Sequence, residues 1–242
     1  NSIDDILISL NEKRERISVL NDYDSYLQKL EQQLAKKEKE LAQISDEVSE
    51  IRQRSAVKLV SEIKSALNDL NFLDVQFDMQ FDRLPDYTAN GIDAPEFLIS
   101  TNPGEPLKPL GKVASGGELS RIMLGIKTIM AENDHIESLI FDEIDSGISG
   151  RTAQMVSEKM NELGRNHQII CITHLPQIAA MADAHFLIEK AVENKSTVSR
   201  IRRLTDNDSV AELARMLGGA KITDTVMESA REMKALAMEK KI

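Results

Sequence analysis

The chain has 242 residues and 27.0 kDa, with 30 basic against 40 acidic side chains and a formal charge of −10. An apolar fraction of 41% is enough to bury a core and excludes wholesale disorder, and 4% aromatics with no Trp suit long helices better than an all-β sandwich. The acidic balance argues against a domain built to coat nucleic acid, the single Cys171 cannot form an internal disulfide and fits a reducing compartment, and no run approaches the ~18 apolar residues of a membrane span.

The first third reads as helix. Leu20, Leu27, Leu34, Leu41 and Val48 recur every seven residues, and Tyr23, Leu30, Ile44 and Ile51 form a second row, with Lys37 as its exception. Such an a/d seam predicts a coiled-coil strand, although a long surface helix on a bundle has the same pattern. A narrow seam cannot be buried by its own helix, so a partner strand is expected from another copy or from upstream sequence. Asn21-Asp22 could mark a break. After Arg54 the stripe broadens through Leu59, Val60, Ile63, Leu67 and Leu70, the pattern of a helix packed on a globular body.

At Asp74 the period changes. Val75, Phe77, Met79 and Phe81 alternate with polar residues as a half-buried strand, Pro85 to Pro95 reads as a turn, and Glu96–Thr101 as a second strand. Asn102–Gly111 reads as a loop. Beyond it we expect helix near 117–130, strand at 138–141, helix near 151–163, strand at 168–173 and a short helix near 177–181. Strands at 184–191 and 198–204 and helices at 210–217 and 223–240 complete the series. Strand-helix alternation around apolar runs such as Ile169-Ile170-Cys171-Ile172 predicts an α/β core with buried parallel strands.

Three motifs carry chemistry. In Ala114-Ser115-Gly116-Gly117-Glu118-Leu119-Ser120-Arg121, Ser115 is a good N-cap, and two glycines let backbone approach a ligand at a helix N-terminus suited to phosphate. An ordinary capped helix after a Gly-Gly turn reads the same way. In Ser138–Gly147 an apolar strand ends in Asp142-Glu143. Asp142 suits Mg²⁺, held directly or through water, and Glu143 could polarise an attacking water; an acidic turn is the plainer reading. His174 follows the Ile169–Thr173 strand and could reach a terminal phosphate, or serve structure alone. The other histidines, His135, His167 and His185, lack metal-ligand spacing.

The order and spacing of these motifs resemble the second half of an ABC-type ATPase head. Joined to the upstream arm, they are similar to the SMC-like group of DNA-repair ATPases, in its bacterial double-strand-break-repair branch. Val113–Arg121 with Ile122-Met123-Leu124, Phe141–Gly150, Ile172–Gln177 and Glu212–Gly219 carry the resemblance, which covers essentially the whole chain. It implies an α/β fold: the C-terminal lobe of an ABC/SMC-type ATPase head with a long N-terminal coiled-coil arm. The arm and neck helix would take residues 1–70 and the lobe 71–242. By this resemblance Ser115, Gly116, Gly117 and Glu118 are the signature motif, reaching in trans the ATP held by a second copy. Asp142 is the Walker-B magnesium residue, Glu143 the catalytic base, Asp145 the D-loop residue crossing to the second copy, and His174 the switch histidine.

The P-loop pattern G-x-x-x-x-G-K-[ST] is absent; the single Gly-Lys pair, Gly111-Lys112, is followed by Val113. The resemblance places that loop in an N-terminal half, with the ascending arm, and the chain begins at Asn1 rather than Met, so a piece of a longer protein is expected, inactive alone. The implied cofactors are ATP and Mg²⁺. The implied partners are the N-terminal half, a second copy as a homodimer, and DNA, without a membrane, in the bacterial cytoplasm at the nucleoid. Arg200, Arg202 and Arg203 form the one dense basic cluster. The alternatives are an ATP-independent coiled-coil scaffold and another ABC-type ATPase, either SMC/Rad50-like or a transporter subunit; a long heptad seam is foreign to the last.

Overall fold

The computed structural model describes residues 2–113, 115–131, 136–193, 196–219 and 221–241; Ala114 and His135 lie outside them. Helix α1 (Ile3–Asp69) runs for 67 residues, roughly 100 Å at about 1.5 Å per residue. Ser2 and Asp5 open it with a reciprocal capping pair, the Ser2 hydroxyl accepting from the Asp5 amide and the Asp5 carboxylate from the Ser2 amide. The helix continues through Asn21-Asp22, where a break was open. Asn71, at φ 69°, ends it: the Asn71 amide donates to the Asn68 carbonyl and the Phe72 amide to the Leu67 carbonyl, the two bonds of a Schellman cap.

Two compact units divide the chain. The first is α1 up to Ala56 with Phe81–Ala94, the far end of a β-hairpin. Here Asp93 accepts hydrogen bonds from the Ser49 hydroxyl (2.7 Å) and the Arg52 guanidinium (3.0 Å), and Arg83 pairs with Asp46 at 2.8 Å. The hairpin is longer than its sequence suggests. Strands β1 (Gln76–Thr88) and β2 (Gly91–Ser100) enclose only Ala89-Asn90, with Gly91 at φ 95°, so the expected turn from Pro85 to Pro95 is corrected to strand. Both prolines are tolerated because β1 is an edge strand and β3 (Lys108–Pro109) meets β2 only at Leu98 and Ile99.

The second unit, Val57–Gln80 with Pro95 onward, contains the cores. Helix α2 (Gly116–Met130) serves two of them: Leu124 packs with Leu70, Phe141, Ile144 and Val156, while Ile122 and Ile126 pack with Ile63, Leu67, Val75 and Phe77. Strands β4 (Ser138–Phe141) and β5 (Gln168–Cys171) pair in parallel, Ser138 opposite Gln168 through Phe141 opposite Cys171, with α3 (Gly150–Leu163) as the crossover. Parallel pairing was expected, but burial on both faces was not realised. Leu139, Phe141, Ile169 and Cys171 face the core, whereas Ile140, Ile170 and Ile172 are 69%, 47% and 52% exposed.

A third core is built on alanine. The short α4 (Pro176–Ala180), α5 (Asp206–Gly218) and α6 (Asp224–Glu239) bring Ala179, Ala180, Ala214, Ala230 and Ala237 around Leu213. Lys234 ties α6 to α4, donating to the carbonyls of Ala180 and Ala182. Between α4 and α5, β6 (Phe186–Glu193) and β7 (Ser196–Arg203) form an antiparallel pair. Among the described residues, no helix is long and apolar enough to cross a membrane.

Candidate active site

The parallel register decides where the motifs meet. Phe141 lies opposite Cys171 and its carbonyl accepts from the Ile172 amide (3.0 Å), so the residues leaving both strands emerge at the same end of the sheet. From β4 come Asp142 and Glu143; from β5 come Thr173 and His174. This carboxyl end of parallel strands is the usual place for a ligand in such sheets. Asp142 is exposed, and one of its oxygens accepts the Glu143 amide at 2.9 Å. Glu143, also exposed, adopts φ 56°, a left-handed conformation uncommon for a side-chain-bearing residue, within a turn closed by the Ser146 amide on the Glu143 carbonyl (2.9 Å).

The N-terminus of α2 is fastened to this turn. The Ser115 hydroxyl accepts the Glu118 amide as a helix cap. The Ser120 hydroxyl donates to the Asp142 carbonyl at 2.8 Å, and Arg121 donates to the carbonyls of Ile144 (3.2 Å) and Ser146 (2.8 Å). Arg121 is buried with its guanidinium 5.6 Å from the Phe72 ring centre, and loss of water around it pulls its pKa below the ordinary arginine value. The glycines make the approach possible. A Cβ on Gly117 would come within 2.8–2.9 Å of the Ser146 Cβ and the Glu143 and Ser146 carbonyl oxygens, and a Cβ on Gly116 would collide with the Glu143 carboxylate.

Asp145 points inward. Its carboxylate is buried and accepts from the Thr173 hydroxyl (2.6 Å) and the His174 amide (2.7 Å), and His174 Nδ1 lies 3.0 Å away. The His174 ring itself is exposed. Behind the site, burial, then the charges of Asp145 and Asp142, push the Cys171 thiol up to about 12, which leaves it unreactive.

Among the described residues, Ser115, Gly116, Gly117, Glu118, Asp142, Glu143, Asp145 and His174 therefore gather at one end of the β4–β5 pair. Sequence reasoning gave no role to Ser120, Arg121 or Thr173. Arg121 carried a readable signal, a charge one turn beyond Gly117 on the face that continues into Leu124 and Gly125, all buried. Of the remaining histidines, His167 sets Nδ1 2.7 Å from the Ile136 carbonyl and His185 sets Nδ1 3.0 Å from the Ser209 hydroxyl. In the basic cluster, Arg202 lies within 4 Å of Glu189 and Asp208.

No group of three or more metal-ligating side chains occurs among the described residues. Asp142 nevertheless fits Mg²⁺ as one hard oxygen donor open to solvent, since that ion commonly takes one or two carboxylates and completes its shell with water and substrate phosphates. The start of α2 and an outward-facing imidazole suit an anion, and the exposed acid pair beside them suits the cation that such an anion carries.

Element order gives an α/β lobe with a long helical arm. Solved structures similar to it include the Smc head domain with a coiled coil and joint from Pyrococcus yayanosii (20% identity, TM-score 0.49, covering 67% of this chain and 29% of that one) and the SMC head domain from Thermotoga maritima (19%, TM-score 0.35, 66% and 52%). In sequence the chain is similar to RecN proteins. It is 41% identical to DNA repair protein RecN of Bacillus subtilis over 247 residues, covering 96% of this chain and 43% of that protein. The RecN proteins of Halalkalibacterium halodurans (39%, covering 98% and 42%) and Mycobacterium leprae (35%, covering 96% and 42%) match over similar lengths. No protein-family model matches. The chain thus spans about two fifths of the length of these curated relatives.

Proposed function

We propose that this chain is the C-terminal head lobe and descending arm of a RecN-like ATPase that acts in bacterial DNA double-strand-break repair. The observation that carries the reading is the convergence of Asp142, Glu143, His174 and the Ser115–Gly117 helix start at the carboxyl end of β4 and β5. We take residues 1–70, α1 with its flanking residues, as arm and neck, and residues 71–242 as the lobe. The bare outer face of Ile140, Ile170 and Ile172 supports a lobe completed by further sequence, which would bring the phosphate-cradling loop and the ascending arm.

In this reading Asp142 would hold Mg²⁺, which would supply charge neutralisation on the phosphates. Glu143 accepts the proton of the water that attacks the terminal phosphorus, and the bond from that phosphorus to the bridging oxygen breaks, giving ADP and phosphate. His174 faces the terminal phosphate. Ser115, Gly116, Gly117 and Glu118 offer the N-terminus of α2 to the ATP of a second copy, and the segment from Asp145 to Gly150 faces that copy too. ATP then joins two heads and hydrolysis parts them, changing how arms and heads hold DNA in the bacterial cytoplasm, at the nucleoid.

The test uses the longer protein carrying both lobes. Glu143→Gln is expected to cut phosphate release by about 10²–10⁴-fold while head pairs persist in MgATP, because a positioned base contributes about that factor. Unchanged turnover would reject Glu143 as the base, and tight MgATP binding by the present chain alone would reject the shared-pocket reading.

A further inference from the structure

We infer that Asp145 is the positioning residue for His174, fixing which ring nitrogen faces the phosphate. Its catalytic consequence rests on the ATPase reading above; its geometry is contained in this chain. One carboxylate oxygen, on a side chain only 5% exposed, receives the Thr173 hydroxyl at 2.6 Å and the His174 amide at 2.7 Å, and lies 3.0 Å from His174 Nδ1. Backbone and ring of the same histidine are thus held by one atom. Thr173 Oγ1 also accepts the Leu175 amide at 3.0 Å, so its single hydrogen is committed to Asp145. A carboxylate only accepts, so the hydrogen between it and Nδ1 belongs to the imidazole.

Nδ1–H directed at Asp145 leaves Nε2 on the opposite edge of a ring that is 72% exposed. The carboxylate thus fixes the orientation of the ring, the positioning role a buried aspartate plays toward histidine in hydrolytic triads. Without Asp145, His174 is a surface ring with two accessible nitrogens and no fixed orientation. Asp145 therefore acts on the site through His174.

Two measurements test this. In the present chain with ¹⁵N-labelled histidine, long-range proton–nitrogen correlation, assigned with His174→Gln, should show His174 protonated at Nδ1 near neutral pH. Asp145→Ala should return it to the Nε2–H form that free imidazole prefers. A native His174 in the Nε2–H form overturns the inference even if Asp145→Ala fails to fold. In the ATP-hydrolysing longer protein, Asp145→Asn should lower kcat by about 10–100-fold, the range typical of partners that orient functional histidines. KM for MgATP should stay within about twofold, and Asp145→Asn should add nothing to His174→Gln. Full kcat in Asp145→Asn, or additive losses in the double variant, overturns it. An unsubstituted protein without ATPase activity would instead sink the ATPase reading and leave the tautomer result standing.

Discussion

One helix lives in two environments. Along the arm, Leu20, Leu27, Leu34 and Leu41 are 56%, 38%, 59% and 43% exposed, while further along α1 Ile63 and Leu67 are 0% exposed. The two stretches differ in the width of the apolar stripe. A heptad seam is narrow and asks for a second helix, whereas the broader stripe finds β1, β2 and α2 within the chain. The contrast is sharpest in leucine truncations. Leu67→Ala should lower the unfolding free energy of the chain by about 2–5 kcal/mol, since it opens a cavity in a closed core. Leu34→Ala should change it by less than ~0.5 kcal/mol. Urea denaturation of both variants checks this. A large loss from Leu34→Ala in the dilute chain would mean that the seam already has a partner.

The next largest effect separates glycines inside the lobe. Gly117→Ala drives a methyl into the Ser146 and Glu143 carbonyls, so overpacking should destabilise the chain by about 1–3 kcal/mol. Gly111→Ala meets nothing within 4 Å and should stay within ~0.5 kcal/mol. Thermal melts of the pair decide whether the glycines of the motif serve this close approach; equal melts would assign Gly117 to ligand access alone.

Much of the fold was legible because period and turn chemistry report local structure directly. The alternation at Phe77 and Met79, the broad stripe at Ile63 and Leu67, and the strand-helix-strand run from Ser138 to Cys171 all appear where the pattern placed them. The hairpin was misread at Pro85 and Pro95 because proline marks a turn in sequence, yet is harmless on a strand side that donates no ladder bond. The outer face of β4–β5 was misread because a continuous apolar run shows that both faces suit burial, without showing what covers them. At the site, the acid pair, the glycines and His174 were readable as types at spacings. Thr173 was not, because its role is a carboxylate contact made across the turn, which no spacing encodes, and at Arg121 only the buried charge was readable, not the carbonyls it meets.

The smallest effect is a difference in acid response between the two regions. In the lobe, burial first of all lowers the pKa of His185, whose ring meets the Ser209 hydroxyl of α5, so the folded lobe keeps this ring neutral. The unfolded chain then binds the proton more readily, and stability contributed there is complete above the ordinary histidine value of 6.5 and declines as pH falls below it. At the arm base, hydrogen bonding from Ser49, then from Arg52 with its charge, holds the Asp93 carboxyl below its ordinary range against the opposing effect of burial. That contribution is present above 3.8 and is lost only as pH falls through the lower folded value. Amide exchange should therefore show α5 losing protection between pH 6.5 and 5 while the Asp93 hairpin holds, with the hairpin yielding only in stronger acid. His185→Gln should remove the first step and leave the second. Simultaneous loss in both regions, or α5 protection unchanged down to pH 5, would break the contrast.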